Sequence, residues 1–253
     1  TGSADKTARI WDPKTGQNVL TINGHQGPVF SVAYSPDGTR LITGSADKTA
    51  GAWDVKTGQS LASFVGHTAE VRAASYSPDG TRVVTASSDT TAAIWDAASG
   101  QRLQVLTGHT QDVLAAAYAR DASRLATASA DGTVIIWDVA RAKPQLTITG
   151  HSGVVRSLSF SSDGATIATS GDDHTVRVFD AKTGAPQLTI DDTAGGGRSV
   201  SYSPDGSRLI FTGGSGTARS VPTKLDAYFR FGCRVLAGLD LTKEVQPFCD
   251  NPP

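Results

Sequence analysis

The sequence predicts an all-β protein assembled from one small antiparallel sheet used repeatedly. Three observations carry this. Trp recurs at 11, 53, 95 and 137, with Phe179 where the next is due, and Gly-His recurs with His25, His67, His109 and His151, every interval being 42 residues. Asp5, Asp47, Asp89, Asp131 and Asp173 keep the same step, each six residues before its Trp or Phe. A turn string also returns, SPDG at 35–38, 77–80 and 203–206 and SSDG at 161–164. A fixed period of this length signals stacked repeats, each too small to bury its apolar surface alone.

In chain order, 7–11 and 18–22 supply a third and a fourth strand without their first two. The first complete unit opens at 29–34, a β-branched and aromatic run stopped by Ser35-Pro36-Asp37-Gly38. Pro at the second turn position and Gly at the fourth suit a tight turn. Residues 40–45 are the second strand, 49–53 the third after a short turn at 46–48, and 60–65 the fourth after the turn at 56–58. Four strands in 42 residues leave no room for a helix. The same division gives complete units at 29–65, 71–107, 113–149 and 154–190, then three strands at 198–202, 208–212 and 217–221, or 21 strands in all. Both faces of these strands are small or apolar, as in a sheet stacked between two others. Stacked four-stranded antiparallel sheets of this period describe the blades of a β-propeller over residues 1–222.

The Gly-His start and Trp-Asp end of each unit resemble those of the WD40-repeat family. The resemblance covers about 1–221. It implies a hydrogen-bonded chain inside each blade: His25, Asp47, Thr43 or Ser45, and Trp53; then His67, Asp89, Thr85 or Ser87, and Trp95; then His109, Asp131, Thr127 or Ser129, and Trp137. The Thr and the Ser share strand parity, so either fits. A buried indole N–H and imidazole need partners, and the carboxylate completes the network. The fourth unit keeps His151 and Asp173, but Phe179 cannot donate a hydrogen bond and Gly171 replaces the second hydroxyl. In the fifth, Thr193, Ser215 and Val221 stand at the His, Asp and Trp positions, and this blade is expected to be the least rigid.

A His, an Asp and a hydroxyl in each unit also invite a hydrolase reading. Nucleophilic catalysis needs such groups in one cleft beside an oxyanion site. Here they are copied sheet by sheet, and no Gly-x-Ser-x-Gly elbow accompanies them, so no catalytic residue is assigned. No metal is expected either, because four His, one per blade, form a ring, whereas ligation requires convergence within ~2 Å of one ion. His174 reads as a solvated turn residue. No cofactor is implied.

Twenty-one strands make five blades and one strand over. Closure as a five-bladed ring and excision from a larger array both fit, the second being favoured; an open ring would invite edge-mediated self-association. Met is absent and Thr1 lies inside a repeated motif, which reads as a fragment with more repeats upstream. The tail, 223–253, breaks the period. Leu225, Tyr228, Phe229, Leu236 and Leu239 follow a helical spacing. Cys233 and Cys249 lie there, as a disulfide or as two thiols. The tail resembles those following WD40 arrays in some multidomain bacterial proteins, which implies an upstream nucleotide-binding or protease-like effector.

Lys+Arg 23 against Asp+Glu 24 gives a net charge of −1, with no general attraction for nucleic acid. No apolar run is long enough to span a membrane, and the start has no signal-peptide pattern; the compartment stays open, the cytoplasm being favoured. The reading is a non-catalytic scaffold for proteins or peptides, the alternative being a regulatory array of a larger effector. WD40 relatives often bind partners on the face of the Gly-His loops, at the channel rim. By alignment, the residue five after each His falls there: Phe30, Arg72, Leu114, Arg156 and, by period, Arg198, near Ala46, Ser88, Ala130 and Asp172. Three Arg beside Phe30 and Leu114 suit an acidic or phosphorylated peptide, although Glu70, Asp112 and Asp172 lie close in sequence.

Overall fold

The computed structural model describes residues 1–191, 195–214 and 216–223. The helix and the two cysteines expected in the tail, with Thr193 and Ser215, lie outside the described residues. Among those described there are 21 strands and no helix, and neighbouring strands within each sheet run antiparallel.

A two-stranded sheet comes first, β1 (Ala8–Trp11) with β2 (Asn18–Ile22). Sheet one of the complete set is β3 (Val29–Tyr34), β4 (Arg40–Ser45), β5 (Thr49–Asp54) and β6 (Ser60–Val65). Sheet two is β7 (Val71–Tyr76), β8 (Arg82–Ser87), β9 (Thr91–Asp96) and β10 (Arg102–Thr107). Sheet three is β11 (Val113–Tyr118), β12 (Arg124–Ser129), β13 (Val134–Asp138) and β14 (Lys143–Ile148). Sheet four is β15 (Val155–Phe160), β16 (Thr166–Gly171), β17 (Thr175–Asp180) and β18 (Pro186–Asp191). A three-stranded fifth sheet, β19 (Gly197–Tyr202), β20 (Arg208–Gly213) and β21 (Ala218–Pro222), follows. Each sheet is a propeller blade with its strands in sequence order.

The turns explain why each strand stops where it does. Ser35 Oγ donates to Asp37 Oδ1 at 2.5 Å and accepts from Arg40 N at 2.9 Å, while Gly38 adopts φ +69°. The Ser35 hydroxyl, with the amide and hydroxyl of Thr39, holds the Asp37 carboxyl down at about 2. In the third blade the same turn reads Ala119-Arg120-Asp121-Ala122, and Ala122 is forced to φ +57° in place of glycine. After the third strand of the half-blade and of blades one to four, the Asp that follows the Trp or Phe caps the next turn: Asp54 Oδ1 accepts from Lys56 N and Thr57 N.

Burial falls from the middle of each blade outward. β4 and β5 are buried along most of their length, whereas β6 buries only Phe64. Alternate residues of the middle strands face opposite neighbours, which is why both faces are apolar. Thus Ile42, Ala50 and Phe64 of blade one pack with Val71, Val83 and Trp95 of blade two. Val84, Ile94 and Leu106 on the other face of blade two then meet Val113, Leu125 and Trp137. The arrangement continues into blades four and five, and Ala8 and Ile22 of the first half-blade cover Leu41 and Trp53. The first strands of successive blades lie side by side around a common axis. Ala74 N donates to Ser31 Oγ at 3.0 Å, and Tyr202 N donates to Ser159 Oγ at 3.2 Å.

The half-blade holds slightly more than its two strands. Arg9 N donates to Thr1 O at 2.8 Å and Ser3 N to Thr7 O at 3.1 Å, so residues 1–3 supply the end of a second strand. Among the described residues, β1–β2 and β19–β21 form separate sheets with no hydrogen-bonded pairing between them.

Candidate functional site

Two groups of side chains were singled out by the repeat, one inside the blades and one on a face. Inside blade one, His25 comes from the loop before β3, Asp47 from the turn after β4, Thr43 from β4 and Trp53 from β5. His25 Nδ1 lies 2.8 Å from Asp47 Oδ2, His25 Nε2 lies 2.7 Å from Thr43 Oγ1, and Trp53 Nε1 donates to the same oxygen at 2.8 Å. Blade two repeats this with His67, Asp89, Thr85 and Trp95 at 2.7, 2.7 and 2.8 Å. Blade three repeats it with His109, Asp131, Thr127 and Trp137 at 3.0, 2.8 and 2.8 Å.

The threonine, not the serine, is therefore the joint. The serine two residues on ties the His loop to the turn, because Ser45 Oγ donates to Gly27 O at 3.0 Å and accepts from Asp47 N at 3.2 Å. A carboxylate only accepts, so Nδ1–H points at Asp47. Thr43 Oγ1 accepts from the indole and faces His25 Nε2, so neither the indole nor the imidazole is left without a partner.

Asp47 also accepts from Gln26 N at 2.8 Å and from the Thr49 hydroxyl at 2.6 Å. Burial raises its pKa, but the Thr49, Gln26 and His25 donors together outweigh that and lower it. Asp89, Asp131 and Asp173 are lowered by the same balance.

Blade four keeps His151 between Asp173, at 3.0 Å, and Thr169, at 2.8 Å, with no ring donor on Thr169. Phe179 meets His151 edge-on, the centroids 6.4 Å apart. Arg177, which the sequence did not mark, lies 3.7 Å from Asp173 Oδ2. The His151 pKa is lowered, chiefly by burial and further by the Arg177 charge, against the opposing pull of Asp173. Sequence reasoning also passed over Thr1, whose Oγ1 accepts from Trp11 Nε1 at 3.0 Å, the same bond one period earlier. Position 1 lies 42 residues before Thr43, so the period could have found it.

Each imidazole is engaged by a carboxylate and a hydroxyl of its own blade, and the four do not converge. Among the described residues no three His, Cys, Asp or Glu side chains gather as a metal site. His174 is exposed, in a turn at φ +64°.

The second group occupies corresponding positions on the first strands, at the end near the Gly-His loops. Phe30 is 43% exposed, and the Arg72 guanidinium lies over its ring at 4.7 Å. Arg72 also pairs with Glu70 Oε2 at 2.7 Å, donates to Ser88 Oγ at 2.9 Å and lies 4.0 Å from Asp112. Arg156 grips Asp172 through Nε and NH2, the second bond at 2.6 Å. Leu114 is half-buried and Arg198 exposed, the charge of Arg198 acting on Asp172. Phe30 and Arg72 are thus brought together, while Arg156 is joined to Asp172 instead. The arginines meet carboxylates of their own face, so this surface is of mixed charge rather than basic.

The WD domain, G-beta repeat family matches at residues 16–54, 58–96, 100–138 and 142–180. Single stretches of the chain are similar to longer eukaryotic proteins. Coronin-7 of Mus musculus is 54% identical over 41 residues, 16% of this chain and 4% of that protein. Ribosome assembly protein 4 of Chaetomium thermophilum is 54% identical over 41 residues, 16% of this chain and 8% of that protein. F-box-like/WD repeat-containing protein TBL1X of Mus musculus is 53% identical over 36 residues, 14% and 7% respectively. Each match spans about one repeat, a small part of either chain. The four family matches coincide with four successive Asp-capped units of the propeller, and the chain belongs to the WD40-repeat family.

Proposed function

We propose that this array is a non-catalytic scaffold whose protein or peptide partner docks on the Gly-His-loop face, across Phe30, Arg72, Leu114, Arg156 and Arg198. The observation that carries it is the pair of Phe30, large and exposed, with Arg72 laid over its ring at 4.7 Å. Aromatic and Arg side chains are the usual anchors of binding hot spots, and this pair sits at the starts of two neighbouring first strands, β3 and β7. An acidic or phosphorylated segment would bind here by replacing Glu70 at Arg72 and Asp172 at Arg156. The His-Asp-Thr-Trp networks serve as braces beneath that face and take no part in chemistry.

The test is site-specific photo-crosslinking from position 30 and, as a control, from Gln59 on the opposite face. A partner captured from position 30, absent from Gln59 and lost in the Arg72→Glu/Arg156→Glu double variant supports the reading. Undiminished capture by that variant, in a chain of unchanged melting temperature, overturns it. Self-association through sheet edges is a separate part of the reading, measured by light scattering.

A second reading rests on the resemblance of the tail sequence. In it the array regulates a larger effector, of the nucleotide-binding or protease-like type that the tail suggests for a bacterial multidomain protein. Deleting the array from the full gene product and finding unchanged effector activity would exclude it.

A further inference from the structure

A second repeated relationship runs along the opposite face, where the SPDG turns lie. Arg40 opens the second strand of blade one and crosses to blade two. Its NH2 donates to Gly80 O at 3.1 Å, and its guanidinium lies 5.1 Å from the centre of the Tyr76 ring. Arg124 makes the same crossing from blade three to blade four, donating to Gly164 O at 2.7 Å, with its guanidinium 5.7 Å from the Phe160 ring centre. Arg82 is the corresponding cation acting on Tyr118. The carboxylates of Asp37, Asp79 and Asp121 each feel the charge of the arginine three residues on.

The fourth member of this series is Thr166. Its hydroxyl meets Tyr202 Oη at 2.8 Å, but it is too short to carry a charge to blade five. A cavity of about 430 Å³ lies at this interface, lined by Asp163, Thr166, Leu188, Tyr202, Gly206 and Pro222 among others. The surroundings that receive a guanidinium elsewhere remain: the ring of Tyr202, the carbonyl of Gly206 and the carboxylate of Asp163. Gly206 O accepts from Thr223 Oγ1 at 2.7 Å and keeps a second lone pair. Asp163 Oδ1 takes the Ser161 hydroxyl and Ala165 N, with no arginine among the described residues acting on it.

We propose that this cavity between blades four and five is a docking site for an arginine side chain of a partner protein. The partner's guanidinium would occupy the place that Arg40 and Arg124 fill from within, stacking on Tyr202, donating to Gly206 O and pairing with Asp163. A ring face, a carbonyl and a carboxylate together favour a planar, charged fork over an ammonium or a neutral amide. The site is on the face opposite Phe30 and Arg72, so it stands independently of the function proposed above.

The test titrates the full chain with three blocked tripeptides, acetyl-Gly-X-Gly-amide, with X as arginine, citrulline or lysine. The readout is the NMR signals of labelled tyrosine, Tyr202 among them. The arginine peptide is expected to shift Tyr202 saturably, and citrulline, which keeps the shape but not the charge, to bind at least about fivefold more weakly. Thr166→Arg supplies the guanidinium from within, so it should abolish the shift and raise the melting temperature. Asp163→Asn, at an exposed position, should weaken binding without altering the fold, and keeps the test valid should T166R misfold. Equal binding of citrulline, or unchanged binding in both variants, overturns the proposal. Binding seen only after Arg230 and Arg234 are replaced by Gln would give the cavity to the chain's own C-terminal segment, and overturns it equally.

Discussion

His67 and Trp95 meet through one oxygen. Both hydrogen-bond Thr85 Oγ1, at 2.7 and 2.8 Å, and their rings stand edge to face with centroids 6.0 Å apart. The hydroxyl is fully buried, so neither ring nitrogen has water to fall back on.

Thr85→Val keeps the shape and removes the shared partner. It should cost about 1–3 kcal/mol by leaving buried donors and acceptors unpaired. Thr169→Val should cost less, because Phe179 places no N–H on Thr169. Urea denaturation of both variants decides it; equal losses would mean that the indole bond contributes nothing.

Gly24 faces the edge of Trp53: an added Cβ would sit 2.4 Å from Cη2. The equivalent Cβ at Gly108 would be 3.2 Å from the Trp137 ring. Gly24→Ala should therefore cost about 1–3 kcal/mol through overpacking, and Gly108→Ala distinctly less. Thermal melts that reverse this order would refute the steric account.

Ala122 occupies a left-handed turn position, φ +57°, that is glycine in the other four turns. Left-handed backbone costs a residue with a Cβ about 1–2 kcal/mol, part of which glycine's greater chain entropy offsets. Ala122→Gly should raise stability by a few tenths to about 1 kcal/mol. A lower melting temperature for that variant would count against it.

Acid should destabilise the protein in two stages. The pKa of His151 is lowered in the fold, so its contribution is complete above the unfolded value of 6.5 and is lost as pH falls through the folded one. Asp47, Asp89, Asp131 and Asp173 are lowered too, so theirs is complete above 3.8 and is lost as pH falls through their folded values. The urea midpoint should first decline below pH 6.5 and then decline again below 3.8. His151→Gln should shrink the first decline; a curve parallel to the parent's would show that His151 does not carry it.

The blade pattern was legible in the sequence because its causes are local. Ser35-Pro36-Asp37-Gly38 stops a strand wherever it falls, and a run apolar on both faces reads as a strand between two neighbours. The nine strands read one by one from those rules agree with the fold to within a residue at their ends. The same arithmetic could have caught Thr1 and the Arg40, Arg82, Arg124, Thr166 series, since both keep the period.

Three things were decided only by the folded chain. Thr43 and Ser45 share parity on β4, so both point to one face; their different heights against the His25 loop select the threonine for His25 and the serine for Gly27 O. The charges of Arg72 and Arg156 are countered by Glu70, just before β7, and by Asp172, in the turn after β16, contacts that only the folded chain makes. The loss of one arginine at position 166 becomes a cavity only because the next blade packs against it. Periodicity fixes which residues are equivalent, whereas contacts between equivalent residues depend on distances that a one-dimensional pattern does not contain.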